Sequence, residues 1–314
     1  MKKTILLLSA ITIFISACSE PIPQNELKYI EADSEYVRTE VINSDGKYNV
    51  SDFICIDDKI IATNPENDCI LTINKNSGEI KTSGQTGNGN EDYINPRGIW
   101  VYNDLIYIVD AGNARIKILD LQLKYQREID LSSLTVAHPS DYLDDIAVDD
   151  NGNIYITVAA YYRESDGKLY FKKNGSNEIT AIMDKCTGVV TSYGGKAYFA
   201  NSLEYVDNFG VSGNHYIYEL ENGKITSSYT LPHEYTPMGI YAGKDGIYCS
   251  SASCREISRV DLNRMQATRL YFEPISLSES KSEYKEYGSL ITDGEAIYLI
   301  ESMSGAIYKL EKEK

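Results

Sequence analysis

The chain has few of the side chains on which catalytic and metal sites are usually built. Its 314 residues include three histidines, one tryptophan and six cysteines. It contains no G-x-S-x-G elbow, no H-E-x-x-H motif and no paired C-x-x-C motif. Basic residues are outnumbered, since 30 Lys and Arg face 46 Asp and Glu and give a formal net charge of −16. Nucleic-acid binding needs clustered positive charge, so this composition predicts no nucleic-acid partner.

The hydrophobic run 5–15 is shorter than the roughly 20 residues needed to span a bilayer. It follows two lysines and ends at small residues, the order of a cleaved export signal. Cys18 follows a serine and an alanine, which resembles the lipobox of bacterial lipoproteins, whose cysteine is lipidated after cleavage. We therefore predict a signal peptide over 1–17 and a lipid anchor on Cys18. The protein is expected in the cell envelope, with Ser19 favouring the outer membrane, and the face of the membrane stays open.

Five cysteines remain beyond Cys18, an odd number without the spacing of a metal site. Cys249 and Cys254 flank a four-residue turn and are placed to form a hairpin disulfide in an oxidising compartment. The other three are interpreted as small buried residues. The sequence predicts no metal and no cofactor, and it leaves the state of the Cys249–Cys254 pair open.

A unit of about 40 to 50 residues recurs along the mature chain, a period typical of propellers and solenoids. Each copy has a short apolar strand, a turn, a second strand that is apolar on both faces, and an alternating third strand. The clearest copy occupies 96–101, 105–110 and 115–121. The second strands mark six copies, at Ile60-Ile61, Ile106-Tyr107, Ile154-Tyr155, Ala197-Tyr198, Ile247-Tyr248 and Ile297-Tyr298.

The last copy has only three strands, whereas an unassigned strand-like stretch, 36–42, precedes the first copy. Pairing the two completes the last unit and removes a free sheet edge. The sequence thus predicts an all-β fold, a six-bladed β-propeller over 35–314 whose last blade is closed by an N-terminal strand. Residues 18–34 are predicted to be the lipidated cysteine and a short tether.

The copy that begins at Pro96 resembles an NHL repeat, and Asp110, Asn113 and Arg115 match that motif. The preceding Gly-rich stretch, 84–93, resembles that of six-bladed propeller lipoproteins of Bacteroidetes. Asn90 and Asp92 depart from the pattern of that stretch, which is read as a connection between blades and not as a phosphate-binding loop. The family has largely unassigned biochemistry, so the resemblance implies an envelope propeller and no particular activity.

Loops that lead into the first strand of each blade share one face of a propeller, where loops on a rigid scaffold often bind ligands. Aromatic and polar side chains on these loops are the candidate binding residues, and the alternative is that the tyrosines cap the blade cores. The candidates are Tyr48, Arg97, His138, Tyr142, Tyr235, Met238 and Tyr287, with Cys186 nearby.

These features predict a lipid-anchored module of the envelope that binds a peptide, a glycan or a partner protein, without catalytic residues. The alternative is a propeller lyase or hydrolase that acts on polysaccharide or lactone. In that alternative, His138 or His233 is the base and a metal lies near the central channel. A third interpretation is a structural subunit of an envelope complex.

Overall fold

The computed structural model describes residues 21–32, 35–42, 47–134, 142–160, 167–206, 210–231, 235–251, 255–273, 287–301 and 304–313. Within these ranges, no helix combines the length and hydrophobicity that crossing a membrane requires. The strands, in chain order, are β1 Gln24–Glu26, β2 Lys28–Glu31, β3 Tyr36–Ile42, β4 Phe53–Ile56, β5 Lys59–Asn64, β6 Cys69–Asn74, β7 Ile80–Ser83, β8 Pro96–Tyr102, β9 Leu105–Asp110, β10 Arg115–Asp120, β11 Tyr125–Asp130, β12 Tyr142–Val148, β13 Ile154–Ala159, β14 Lys168–Lys172, β15 Ile179–Asp184, β16 Cys186–Tyr193, β17 Lys196–Val206, β18 Gly210–Glu221, β19 Lys224–Thr230, β20 Pro237–Gly243, β21 Gly246–Ser251, β22 Glu256–Asp261, β23 Gln266–Phe272, β24 Tyr287–Thr292, β25 Ile297–Glu301 and β26 Ala306–Lys312.

The strands form six sheets, which are the blades of the predicted propeller. Blades 1, 2 and 3 consist of β4–β7, β8–β11 and β12–β15. Blade 4 consists of β16–β19 with β1 at its edge, and blade 5 of β20–β23 with β2 at its edge. Blade 6 consists of β24–β26 and β3. The first strand of each blade contacts the first strands of both neighbouring blades, so these six inner strands enclose a channel.

The second strand of each blade is buried on both faces because neighbouring blades stack on it. In β9, Ile106 and Ile108 face a cluster with residues of blade 1, while Tyr107 and Val109 face a cluster with residues of blade 3. Full burial of one such aliphatic side chain contributes about 1.5–3 kcal/mol. The two-sided apolar pattern of the sequence is therefore the packing between blades.

Tight turns with left-handed backbone join the strands at the end remote from the start of each inner strand. Asn103 and Asp104 connect β8 to β9 with φ of 52° and 57°. Asn222 and Gly223 connect β18 to β19 with φ of 50° and 75°. Two consecutive positive φ angles define the type I′ turn, whose twist matches an antiparallel hairpin.

The predicted closure of the ring is confirmed, because β3 pairs antiparallel with β26 from Tyr36 opposite Lys312 to Ile42 opposite Ile307. Arg38 in β3 donates from Nη1 to the carboxylate of Glu273 and, at 2.8 Å, to the hydroxyl of Tyr287. The strand thereby joins the first part of the chain to blade 6 and also to the edge of blade 5.

The stretch interpreted as a tether contains two strands that the sequence analysis did not anticipate. β1 pairs parallel with β19, with Gln24 opposite Ser228, and β2 pairs parallel with β23, with Lys28 opposite Gln266. The hydroxyl of Tyr29 also donates to Glu256 at 2.6 Å. From position 24 onward the chain therefore runs along the outer edges of blades 4 and 5. Strands of three and four residues are too short to show a recognisable alternation.

The cysteines of the described part of the chain are free thiols. Cys69, Cys186 and Cys249 are buried and Cys55 is half-buried. Burial raises the pKa of the Cys249 thiol. Cys249 is thus a packed, unpaired residue here, and Cys254 lies outside the described residues.

The three residues that match the repeat motif in blade 2 hold the Gly-rich connection between blades 1 and 2. The Arg115 guanidinium donates to Asp110 at 2.7 Å, to Glu128 at 2.9 Å and to the Gly89 carbonyl at 3.0 Å. Asn113 donates to Asp110 and to the carbonyl of Gly87, both at 2.9 Å. Because the Asp110 side chain is fully buried, the guanidinium is the charge that balances it.

Two truncations test the closing strand. A chain that begins at residue 43 lacks β3, so blade 6 loses the ladder that closes the ring, and we expect a lower melting temperature and self-association. That chain also lacks β1 and β2, so the matched control begins at residue 32 and lacks only these two strands, each of which adds a fifth strand to a four-stranded blade; we expect a smaller change in the control. Calorimetry and size-exclusion chromatography measure both. Equal melting of the two truncated proteins would contradict this role of β3.

Arg115→Lys tests the blade 2 network. Lysine cannot form the forked contacts of the guanidinium, so we expect a loss of about 3 kcal/mol in the free energy of unfolding by urea. The matched control is Arg127→Lys on the exposed edge strand β11, which should change stability by less than about 0.5 kcal/mol. If both variants behave alike, the buried network does not carry the stability assigned to it.

Candidate functional site

The inner strands surround a central cavity of about 270 Å³ at the end where these strands begin. We call this region the channel mouth. It combines carboxylates, a guanidinium, aromatic rings, hydroxyls and exposed backbone groups. Its lining includes the side chains of Asp52, Arg97, Trp100, Tyr142, Asp144, Asp145, Met238 and Ser289.

Asp52 stands immediately before inner strand β4 and ties three blades together. Its Oδ1 accepts from the amide of Phe53 at 2.8 Å and from the hydroxyl of Ser289 in blade 6. Its Oδ2 accepts from the amide of Ile99 in blade 2 at 2.9 Å. The carboxylate therefore fixes how the inner strands of blades 6, 1 and 2 meet at the channel.

Asp145 has the same function in blade 3. It accepts from the amide of Ile146 at 2.8 Å and from the amide of Val190 in blade 4 at 2.7 Å. The backbone amide of each of these two aspartates donates to a threonine hydroxyl on the second strand, that of Thr157 for Asp145 at 2.9 Å. Two blades that are not adjacent thus place a carboxylate at equivalent positions of the channel.

Asp144 differs from these two acids because no hydrogen bond holds its carboxylate within the described part of the chain. It lines the same cavity as Arg97 of the neighbouring blade. The guanidinium carbon of Arg97 lies 4.0 Å from the ring centre of Tyr142, and its Nε donates to Asn95 at 3.0 Å. Asp144 is therefore a carboxylate of the channel mouth that no backbone contact engages.

Burial raises the pKa of all three carboxyl groups. For Asp52, loss of hydration outweighs its hydrogen bonds and raises the pKa to about 6. For Asp145, burial first and the charge of Asp52 second raise the pKa well above its ordinary value. For Asp144, burial raises the pKa while the charge of Arg97 opposes the rise. The cavity therefore concentrates negative charge that its surroundings only partly stabilise.

Three of the candidates named from the sequence, Arg97, Tyr142 and Met238, line this cavity. Trp100 also lines it, and its indole donates to the Val148 carbonyl at 3.1 Å, so this side chain is held in place.

The structure places other candidates in the blade cores. Tyr235 is 2% exposed and donates to the Cys249 carbonyl at 2.7 Å. Tyr287 is fully buried and donates to Glu273 at 2.5 Å. Cys186 is buried between blades 3 and 4. For these positions the alternative interpretation, a residue that caps a blade core, describes the structure.

Tyr48 packs against the core between blades 1 and 6, and the Nζ of Lys47 lies 4.9 Å from its ring centre. Both histidines proposed as bases, His138 and His233, lie outside the described residues. Among the residues that are described, no group of three or more His, Cys, Asp or Glu side chains is placed to hold a metal ion.

The channel carboxylates are not among the candidates named from the sequence, although the repeats contain a signal for them. Asp52 and Asp145 occupy the position of Gly98 in the clearest copy, since each directly precedes the buried inner-strand residue that pairs with the middle of the second strand. At Gly98 a Cβ atom would lie 2.7 Å from the Asp144 carbonyl oxygen, so blade 2 has no room for a side chain there. Acidic side chains and glycine thus occupy one register position in adjacent blades.

The variant Asp144→Asn tests whether the charged carboxylate of Asp144 lowers the stability of the folded protein. The raised pKa means that the folded protein disfavours the charged carboxyl, so Asp144 lowers stability once the pH rises above about 4, the value in unfolded chains. We expect the variant to be more stable than the parent at pH 7.5, and the difference to fade near pH 4. Urea unfolding at both pH values measures it, with the exposed Asp150→Asn as control. A variant less stable than the parent at pH 7.5 would refute the assignment.

Solved structures share the fold at low sequence identity. Virginiamycin B lyase from Staphylococcus aureus is 13% identical, with a TM-score of 0.57 over 88% of this chain and 99% of its own. A luciferin-regenerating enzyme is 14% identical, with a TM-score of 0.60 over 88% and 95%. Regucalcin from Agrobacterium tumefaciens, a calcium-binding protein, is 10% identical, with a TM-score of 0.59 over 92% and 96%. These likenesses establish the propeller fold and no activity.

Among curated proteins, no sequence relative matches the chain. A family model does match: DUF5128, described as a 6-bladed beta-propeller, aligns with residues 44–241, which is more than half of the chain. The matched region contains blades 1 to 4 and the start of blade 5, so it includes Asp52, Arg97 and Asp145 of the channel mouth. The protein therefore belongs to the DUF5128 family of six-bladed β-propellers.

Proposed function

We propose that the protein is a lipid-anchored binding module of the cell envelope whose channel mouth binds a ligand with a cationic group, such as a lysine or arginine side chain of a peptide. The observation that carries this proposal is the charge of the cavity. Its described lining includes three carboxylates and one guanidinium. A cavity walled by one sign of charge attracts ligands of the other sign.

Asp144 is the residue best suited to pair with such a ligand. Among the residues that the structure describes, none donates a hydrogen bond to its carboxylate, whereas Asp52 and Asp145 hold inner strands together. Because the cavity is partly shielded from water, an ion pair formed inside it is stronger than one on the surface. Asp52 and Asp145 add negative charge around the pair without leaving their backbone partners.

The shape of the cavity supports a ligand smaller than a folded protein. A volume of about 270 Å³ approaches the lower end of the roughly 300–1,000 Å³ of small-molecule sites. Trp100 and Tyr142 supply flat apolar surface at its wall. One extended side chain of a peptide, or one amino sugar, matches both the size and the charge.

A second candidate function, an enzyme, is favoured by one observation. Asp52 and Asp145 are two interacting carboxyl groups with raised pKa values, and such pairs occur where a protein uses a general acid and a general base. The propeller fold itself supports catalysis, since a lyase shares it. In this alternative, the protein is a lyase or hydrolase that acts on polysaccharide or lactone. Asp52 and Asp145 are then the proton donor and acceptor, in place of His138 or His233.

Thermal unfolding of residues 19–314 with defined peptides tests the binding proposal. Peptides that contain one lysine or arginine are compared with matched peptides in which that lysine is acetylated, and with neutral oligosaccharides. A ligand at 100 times its dissociation constant should add about 2.7 kcal/mol of stability. We expect stabilisation by the cationic peptides alone, and more at pH 7.5 than at pH 5 because the carboxyl groups must be charged.

Asp144→Asn should abolish this stabilisation, and the control Asp150→Asn, outside the channel, should keep it. Stabilisation by acetylated and free peptides alike would refute a cation site. The protein would instead be an enzyme if neutral oligosaccharides stabilise it and if the parent, but not Asp145→Asn, converts them to product.

A further inference from the structure

The first described residues of the chain run beside blade 4 in a known direction. β1 is parallel to β19, with Gln24 opposite Ser228 and Glu26 opposite Thr230. Just before β1, the carbonyl of Pro23 accepts from the Ser228 amide at 2.9 Å. Followed backwards, toward the N-terminus, the chain therefore heads along β19 toward the turn 221–224, at which β19 begins.

That turn lies at the end of the propeller remote from the channel mouth. The amide of Gly223 donates to the hydroxyl of Tyr155 at 3.3 Å, and a Cβ atom at Gly223 would lie 2.5 Å from the Phe171 ring. Tyr155 lies near the start of β13, beside the turn that joins β12 to β13. The channel mouth is at the other end of β13, where Ala159 pairs with Tyr142. Tyr155 and Ala159 are about 13 Å apart along that strand.

The anchor has little freedom to leave this region. Cys18 precedes Pro21 by three residues, and three residues span at most about 11 Å even when fully extended. The lipidated Cys18 is thus confined to the neighbourhood of Pro21. The three-residue segment is too short to carry it to the face with the channel mouth.

An exposed aromatic side chain marks the same side of blade 4. Tyr193 is 47% exposed and pairs with Lys196 across the turn between β16 and β17, the counterpart of the blade 3 turn. Ile22, adjacent to the anchor, is 40% exposed. Two other large hydrophobic side chains are comparably exposed, Val37 in blade 6 and Phe272 in blade 5, and neither is a tyrosine. A tyrosine, with an apolar body and a polar tip, suits the boundary between lipid and water.

We propose that the protein lies on the bilayer with the turns of blade 4, including 221–224 and Tyr193, facing the lipid surface, and with the channel mouth facing away from it. This inference rests on the lipid anchor proposed above. It deepens that proposal, because a mouth directed away from the membrane receives its ligand from the aqueous side and does not bind the headgroups of the bilayer that holds the protein.

Fluorescence quenching by labelled lipids tests this orientation. Lipidated protein is reconstituted on phosphatidylcholine vesicles that contain nitroxide-labelled lipid, and a small fluorophore is attached to Lys224→Cys or to Glu66→Cys. Both positions are exposed. Position 224 belongs to the blade 4 turn, and position 66 follows Pro65, which lines the channel mouth. We expect loss of fluorescence at 224 and little loss at 66.

Two controls separate the possible failures. Protein with Cys18→Ala should stay in solution and show no quenching at either position, and lipidated protein that fails to join vesicles would refute the anchor itself. Protein without an introduced cysteine measures labelling of the native thiols. With vesicle association intact, equal quenching at both positions, or stronger quenching at 66, would overturn the orientation. Tyr193→Ser should reduce quenching at 224 while the protein stays bound.

Discussion

The pairing of β3 with β26 is the constraint on which the rest of the structure depends. It joins residues about 270 positions apart, as in the bond between Thr39 and the Lys309 carbonyl, and it turns six successive sheets into a ring. Only in a closed ring does each inner strand have a neighbour on both sides. The contact between β24 and β4, through which Ser289 reaches Asp52, exists because the ring closes there. The channel mouth is thus a product of closure and belongs to no single blade.

The channel carboxylates affect the stability of the fold in two opposing ways. Asp52 and Asp145 satisfy backbone amides of adjacent blades, which would otherwise be left without partners at the crowded axis. Their burial also places charge where water is scarce, and this raises their pKa values. Asp144 brings the second effect without the first, because within the described ranges no backbone amide donates to its carboxylate. Its side chain adds to the electrostatic cost and not to the framework, which is why we propose it as the partner of a ligand.

The fold was largely predictable from the sequence because its determinants are local and repeated. The two-sided apolar strands around Ile106 and Ile247, the turns such as Asn103-Asp104, and the unpaired stretch 36–42 each left a pattern within a few residues. β1 and β2 have no such local pattern. They are stabilised by pairing with β19 and β23, which lie some 200 residues further along the chain. The site was less predictable for the same reason. Position along the chain identifies residues near a strand start but not which way a side chain points, so the prediction could not separate Arg97, which lines the cavity, from Tyr287, which lies in a blade core.

The propeller explains why related folds carry such different activities, and why this chain cannot be assigned one by likeness. Stacking between blades uses the second and third strands, whereas the channel mouth uses a few positions at the start of each inner strand. Glycine, serine and aspartate all occur at those positions, as Gly98, Ser289 and Asp145 show. Exchanging them alters the charge of the cavity while leaving the apolar stacking intact. A lyase and a calcium-binding protein share the scaffold at 13% and 10% identity. In this chain three carboxylates line the mouth, and we base the proposed cationic ligand on this charge and not on the fold.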